Sequence, residues 1–467
     1  MNLPFLFSFL AVAAHESPVP SAVWALPFVT LLLAIASLPL SAKHAHWWEQ
    51  HHNKLILGLG LGALVLCYYT FRGYGLRAHG SLPAVAAGVP TLLAVLERTI
   101  LEDYAPFLIL LFSLYTIAGG MHLRGTITPR PLVNTAILAI GTLLASFVGT
   151  TGASMILIVP LIEANRSRKY VAHTVVFFIF LVSNIGGLLT PLGDPPLFLG
   201  YLQGVPFGWT LHFWRQWAFT ASLVLAIYYL WDRVVFRRET VVRPITREPL
   251  RLRGSINLFW LLGVVLSVAF LVPRSRLLGT QILVPNFLRE GVMLGLVGLS
   301  LLTTPKGLKN ESGFTYGAMI EVACLFLGIF VTMSVPIEIL QVKGASLGLH
   351  TQNHFFWTCG ALSSMLDNAP TYMVFFETAR SMPAGGLPVL PLTSGTGEPI
   401  RVDLLEAISC SAVFMGAMTY IGNGPNLMVK SIAESRGVKM PGFFGYMLYS
   451  MGILVPVFVL VSWRFFS

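Results

Sequence analysis

The stretches Thr190-Pro191-Leu192-Gly193-Asp194-Pro195-Pro196-Leu197 and Thr419-Tyr420-Ile421-Gly422-Asn423-Gly424-Pro425-Asn426-Leu427 break two strongly apolar segments in the same way. With one insertion, Thr, an aliphatic residue, Gly, Asp or Asn, Pro and Leu correspond. Gly and Pro cluster inside apolar helices where the backbone is meant to open. Two interrupted hydrophobic segments at matching places in two halves of a chain point to the binding site of a secondary transporter.

The surrounding composition fits. The chain has 467 residues, 55% hydrophobic and 11% charged, with mean hydropathy +0.74. A soluble domain carries about 25% charged residues, so this is an integral, polytopic membrane protein. The formal charge of +10 sits largely in short loops, as the positive-inside rule expects, and implies a lipid bilayer rather than nucleic acid as partner. Cys67, Cys324, Cys359 and Cys410 lie in apolar runs without metal-ligand spacing and read as small buried hydrophobes. Residues 1–21 form an apolar lead-in with no Lys or Arg before its core, which leaves cleavage and retention both open.

Stretches long enough to span a ~30 Å core lie near 22–41, 55–71, 103–122, 211–231, 256–272, 318–340 and 443–463, with shorter candidates at 83–100 and 289–303. A linker at 232–254, holding Arg233, Arg237, Arg238, Arg243, Arg247, Arg251 and Arg253 against Asp232, Glu239 and Glu248, is expected in the cytoplasm. Threading outward from it divides the chain into a first half at 22–231 and a second at 255–467, of opposite orientation. The first contains a folded-back stretch at 131–165 and a broken helix at 172–203. The second contains a hairpin at 354–379 and a broken helix at 403–434. The arms of 354–379, about 12 residues each, are too short to span and read as re-entrant. The hairpin tips read Gly149-Thr150-Thr151-Gly152-Ala153-Ser154 and Ser363-Ser364-Met365-Leu366-Asp367-Asn368-Ala369-Pro370. Asp103 and Glu321 each open an apolar span before its hairpin and read as interfacial. The expected fold is all-α: an inverted repeat with two re-entrant hairpins and two broken helices.

If the halves pack about a two-fold axis, these four breaks converge. They offer Thr150, Thr151, Ser154, Ser183, Asn184, Thr190, Asp194, Ser363, Ser364, Asp367, Asn368, Thr371, Thr419, Asn423 and Asn426, while Lys and Arg are absent from 172–208 and 354–379. Oxygen and amide groups suit hard cations or carboxylate hydrogen bonding. A sodium site is expected at Asp367, Asn368, Asn184 and Asn423. Asp194 and Asp367 are the sharpest candidates, because charge within a membrane segment defaults to function. A carboxylate there binds a cation when ionised and a proton when neutral. The structural alternatives are helix caps at both acids. Gly193, Gly422, Pro196 and Pro425 are the helix-break residues, with the glycines expected at positive φ. No cofactor is expected beyond transported or coupling Na⁺ and H⁺. His44, His46, His51 and His52 read as a wet loop rather than a metal site.

The motifs SMLDNAPTYMVFF, TYIGNGPNLMVKSIAE, VKMPGFFGYM and SNIGGLLTPLGDPPLFLG resemble those of bacterial sodium/proton antiporters and citrate-transporter-like proteins. These belong to the ion-transporter superfamily with the dicarboxylate/sodium symporters and arsenite permeases. The resemblance covers roughly residues 20–463. It implies a scaffold and a mobile transport domain, elevator-type alternating access, a homodimer, and a multi-pass location in the bacterial inner membrane. It carries an Asp-Asn pair onto Asp367 and Asn368 and a Ser-Asn element onto Ser183 and Asn184. The Ser-Asn-Thr triplets of the dicarboxylate symporters are absent from the tips. The first reading is therefore sodium/proton antiport, with cation-coupled uptake of citrate or a related carboxylate second. An intramembrane aspartyl protease using Asp194 and Asp367 is a remote third, because Pro191 stands where Gly-x-Gly-Asp needs its first Gly; the chain reads as a transporter, not an enzyme.

The charge map yields a test. In a protein freed of its native cysteines, Ser167→Cys is expected to label only from the cytoplasm and Gly386→Cys only from outside. Labelling of both from one side contradicts the opposite orientation of the halves.

Overall fold

The computed structural model describes residues 18–41, 43–78, 83–239, 249–273, 275–276, 283–311, 314–393 and 398–467. Residues 1–17 of the lead-in, the linker residues Arg243, Arg247 and Glu248, and the end of the 383–397 loop lie outside the described residues. Among the described residues the chain is mostly helical, with two small two-stranded ribbons.

The first half runs α1 (Ala22–Leu40), α2 (His51–Phe71), α3 (Val89–Ala118), α4 (Pro131–Val148), α5 (Thr150–Ala164), α6 (Ala172–Leu181), α7 (Pro195–Leu202) and α8 (Phe207–Phe236). The second runs α9 (Ile256–Phe270), α10 (Leu288–Thr303), α11 (Gly317–Leu347), α12 (Gln352–Met365), α13 (Asn368–Arg380), α14 (Val402–Met415), α15 (Gly424–Ser435) and α16 (Phe443–Phe465). Seven of these, α1, α2, α3, α4, α8, α11 and α16, are long and apolar enough to cross a membrane. Their outer faces, and that of α10, carry large exposed apolar side chains such as Phe71, Leu302, Leu448 and Trp463, which suits lipid and not water.

Several boundaries differ from the expectation. The candidates 83–100 and 103–122 fuse into one helix, α3, through a π-helical segment at Glu97–Tyr104. The polar run around Arg98, Glu102 and Asp103 therefore lies inside a helix and not at a segment end. Asp103 accepts a hydrogen bond from Gln203 Nε2 at 3.1 Å. Glu321 lies near the start of α11, where Lys54 Nζ of α2 donates to it. The 256–272 span is shorter, a helix of 15 residues. Cys359 and Cys410 are buried as expected, but Cys67 is exposed on the apolar surface.

The interrupted segments hold the middle of the molecule. Every residue from His173 to Leu181 in α6 is buried, as are most of α14 and α5. A helix apolar all round belongs inside other helices. The packing crosses between halves reciprocally: α5 lies on α15, and α13 lies on α7. In each pair, the helix after one half's tip meets the helix after the other half's break. The first ribbon, His122–Arg124 with Arg251–Arg253, pairs antiparallel and ties the end of α3 to the start of α9.

The basic loop at 166–169 is not wholly solvated. Arg168 is buried, donating from Nη2 to Asp232 Oδ1 at 2.6 Å and from Nε to Glu239 Oε2 at 2.8 Å. His173 Nε2 lies 2.9 Å from the same Asp232 oxygen, and Asn134 and Asn165 pair beside it. This network pins the start of the linker to the turn between α5 and α6. Removing one partner of such a pair strands a buried charge, which costs about 3–5 kcal/mol, whereas an apolar replacement of both is often neutral. Arg168→Ala is thus expected to lower the unfolding temperature in detergent strongly, and Arg168→Met with Asp232→Leu and Glu239→Gln, which leaves neither acid charged and unpaired, to recover much of the loss. Equal melting of Arg168→Ala and the parent contradicts this role.

Candidate functional site

Four helices begin at one place. Thr150 is the first residue of α5 and Asn368 the first of α13; Asp194 caps the start of α7 and Asn423 that of α15. Asp194 is 1% exposed. Its side chain makes no bond to its own helix start. Oδ1 instead accepts from Thr150 Oγ1 at 3.1 Å and Asn423 Nδ2 at 3.0 Å, and Oδ2 accepts from Asn368 Nδ2 at 2.6 Å. One carboxylate thus takes a hydrogen bond from each of the other three helix starts.

The backbone geometry follows from glycine, though by a different route from the expected positive φ. Gly193 and Gly422 do not have positive φ. They are required because there is no room for a side chain. A Cβ on Gly193 meets Gly187 O at 2.1 Å, and one on Gly422 meets Gly416 O at 2.6 Å and Ser363 O at 2.9 Å. The positive φ is at Gly149, 81°, which turns the chain between α4 and α5. The prolines act as expected: Pro196 and Pro425 lie in the first turns of α7 and α15, where their fixed φ and missing N–H cost nothing.

The breaks are held alike. Thr190 Oγ1 donates to Ser146 O and accepts from Leu192 N; Thr419 Oγ1 donates to Ser364 O and accepts from Ile421 N and Gly422 N. These hydroxyls fasten each break to the first hairpin arm of its own half. Asn184 Nδ2 donates to Ile179 O and to Asn426 Oδ1, both at 2.8 Å, and Asn184 Oδ1 accepts from Asn423 Nδ2 at 3.2 Å. Asn426 Nδ2 in turn donates to Gly416 O and Thr419 O. Ser183 shares a 2.9 Å hydrogen bond with Ser154, and its carbonyl accepts from Asn423.

Other candidates stand further off. Asp367 caps α13, accepting from Ala369 N at 3.0 Å. Thr371 Oγ1 donates to Asp367 O, and Ser363 to Ala412 O. Ser364 Oγ turns back to Ala361 O, leaving only its carbonyl to the break. Thr151 is half-buried and takes no part in the network among the described residues. The hydrogen bonds from the other helix starts converge on Asp194, whereas Asp367 bonds to the start of its own helix.

Asn368 is 1% exposed, yet its Oδ1 has no hydrogen-bond partner. Its amide nitrogen donates to Asp194, so the oxygen is left with free lone pairs. Buried acceptors without donors are costly, and this one suits a proton donor or a hard cation. Among the described residues no group of three or more His, Cys, Asp and Glu is placed to hold a metal ion; the oxygens gathered here are the Asp194 carboxylate and amide and hydroxyl groups. Of the residues named for sodium, Asn368 and Asn184 present oxygens at the site, Asn423 presents its nitrogen, and Asp367 is engaged in its cap.

Sequence reasoning missed Ser146, Gly187 and Gly416. The signal exists: Gly187 and Gly416 each precede their partner glycine by six residues, in Gly-x-x-Thr-x-[Leu/Ile]-Gly. Likewise Ser146-Phe147-Val148-Gly149-Thr150 matches Ser364-Met365-Leu366-Asp367-Asn368, which makes Thr150 and Asn368 equivalents.

The family model described as "Putative citrate transport" matches residues 17–466. No curated protein matches the chain.

The close backbone approaches give an expected outcome independent of any ligand. Gly193→Ala and Gly422→Ala each force backbone apart, a cost of about 1–3 kcal/mol or more, and are expected to lower the unfolding temperature. Gly60→Ala, with nothing within 4 Å of the added carbon, is expected to melt like the parent. Equal melting of all three contradicts the packing at the breaks.

Proposed function

The chain belongs to this citrate-transport family, and from that premise we propose that it is a secondary active transporter carrying a citrate-like carboxylate together with a cation. The family match backs this reading over sodium/proton antiport, the first expectation from the sequence. The observation that carries it is the meeting of four helix N-termini around one buried carboxylate.

Helix N-termini attract anions, each by about 0.3–1 kcal/mol and up to ~2 when partly buried. That explains how a carboxylate binds without Lys or Arg. Asp194 opposes it. Two negative charges 4 Å apart repel by about 4 kcal/mol at an effective dielectric of about 20, comparable to what the four helix ends supply together. Anion binding therefore requires a proton or sodium ion first, placed between Asp194 and the unpartnered Asn368 oxygen. That order is the coupling: an empty site rejects the anion until the cation has entered.

The fold follows in the same proposal. The Thr190–Ser146 and Thr419–Ser364 bonds, the glycine pairs and the reciprocal packing of α5 on α15 and α13 on α7 support an inverted repeat. Its hairpins are α4–α5 and α12–α13. The helices α12 and α13, of 14 and 13 residues, are about 20 Å long and suit a re-entrant pair; α4 is long enough to span. The domain limits 22–231 and 255–467 come from the charge map, and the elevator movement, the homodimer and the bacterial inner membrane from the resemblance. Sodium/proton antiport is the second reading, favoured by the single carboxylate beside a free amide oxygen.

Radiolabelled citrate uptake into proteoliposomes, driven by an imposed sodium or proton gradient, tests the proposal. Asp194→Asn is expected to lose gradient-driven uptake at least tenfold. Asp367→Asn keeps the cap, since Asn and Asp cap alike, and is expected to stay within a few-fold of the parent. Gradient-driven uptake by Asp194→Asn contradicts the coupling role. Proton movement on sodium addition, with no citrate uptake, favours antiport.

A further inference from the structure

A polar cavity of about 670 Å³ opens between the start of α8, α14 and the end of α16. Its walls include His212, Trp214, Arg215, Gln216, Glu406 and Arg464. It lies at the end of α8 opposite the basic linker, so it faces the other side of the membrane from that linker. The breaks at Asp194 and Asn423 contribute nothing to it.

Three features define what it takes. Arg215 and Arg464 are exposed at the mouth, each guanidinium held over an apolar ring, Trp214 at 5.5 Å and Phe465 at 5.4 Å. Two guanidiniums at one mouth suit a phosphate or carboxylate. Glu406 lines the same cavity, which a simple anion does not need. Gln216 is 7% exposed and its Oε1 has no hydrogen-bond partner, so the cavity presents a buried acceptor in want of a donor. A carboxylate and an amide oxygen together suit a primary ammonium, which brings three donors and no acceptor.

We propose that this cavity binds a zwitterion carrying an anionic phosphate or carboxylate and a primary ammonium, the anion on Arg215 and Arg464 and the ammonium on Glu406 and Gln216. The same chemistry occurs in a phosphatidylethanolamine headgroup and in small soluble zwitterions. The exposed Trp214 and Leu211 beside the cavity form the apolar rim that a headgroup at a membrane surface meets.

The test is lipid retention by the full-length protein. After reconstitution in equal parts phosphatidylethanolamine, phosphatidylcholine and phosphatidylglycerol, the protein is extracted and its bound lipid quantified by mass spectrometry. Phosphatidylethanolamine is expected to be enriched about tenfold over the other two, the factor for one charge-assisted hydrogen bond, because a quaternary ammonium keeps the charge but lacks N–H donors, and a glycerol lacks both the N–H donors and the charge. Glu406→Gln and Arg464→Ala are each expected to abolish the enrichment while elution from a sizing column stays that of the parent. Displacement of the lipid by phosphoethanolamine assigns the site to the headgroup chemistry. A rise in melting temperature with phosphoethanolamine in lipid-free detergent, without lipid enrichment, assigns a soluble zwitterion as source. Equal retention of the three lipids with no effect of phosphoethanolamine, or enrichment untouched by Glu406→Gln, overturns the proposal.

Discussion

One buried carboxylate at the start of four helices is the constraint on which the rest depends. Asp194 takes its hydrogen bonds from Thr150, Asn368 and Asn423, each at the beginning of a different helix. Two of these helices come from each half of the chain, so the bonds cannot form unless both halves are folded and docked. An ionised carboxylate is stabilised there by the helix ends and hindered by burial.

The backbone around it is built for close approach. Peptide groups at Gly187 and Gly193, and at Gly416 and Gly422, pass so near that neither Gly193 nor Gly422 has room for a Cβ. Thr190 and Thr419 fix the breaks to carbonyls of the hairpin arms, and Asn184 and Asn426 satisfy the opened ends. These side chains meet several of the backbone groups that unwinding opens. The Asn368 oxygen has no partner, and its amide nitrogen bonds Asp194.

Much of this was legible in the sequence because Gly, Pro and paired polar residues rarely gather in apolar runs unless a helix opens there. The two breaks, the short arms at 354–379 and the convergence of Asp194, Asn184, Asn423 and Asn368 were all readable. What was not readable depended on direction. Asp194 and Asp367 look alike as membrane acids, and only the fold sends one across to three other helices and the other back to Ala369 N. Positive φ and crowding both select glycine, so the sequence marks Gly193 and Gly422 without telling which of the two applies. Arg168 in a basic loop reads as solvated until Asp232, 64 residues away, is brought against it. Polar residues in Glu97–Tyr104 hid the continuity of α3, because a hydropathy pattern does not distinguish a helix end from a charged turn inside a helix.

The measurement that reaches the central claim most directly is the affinity of the purified protein for citrate as sodium is raised at fixed pH, with proton uptake counted by calorimetry in buffers of different ionisation enthalpy. If Asp194 must be neutralised before the anion enters, each citrate bound brings at least one cation with it. Either the dissociation constant falls as sodium rises, or protons are taken up on binding; by linkage, citrate tightens cation binding by the same factor. Citrate binding that is independent of sodium and takes up no proton contradicts the account.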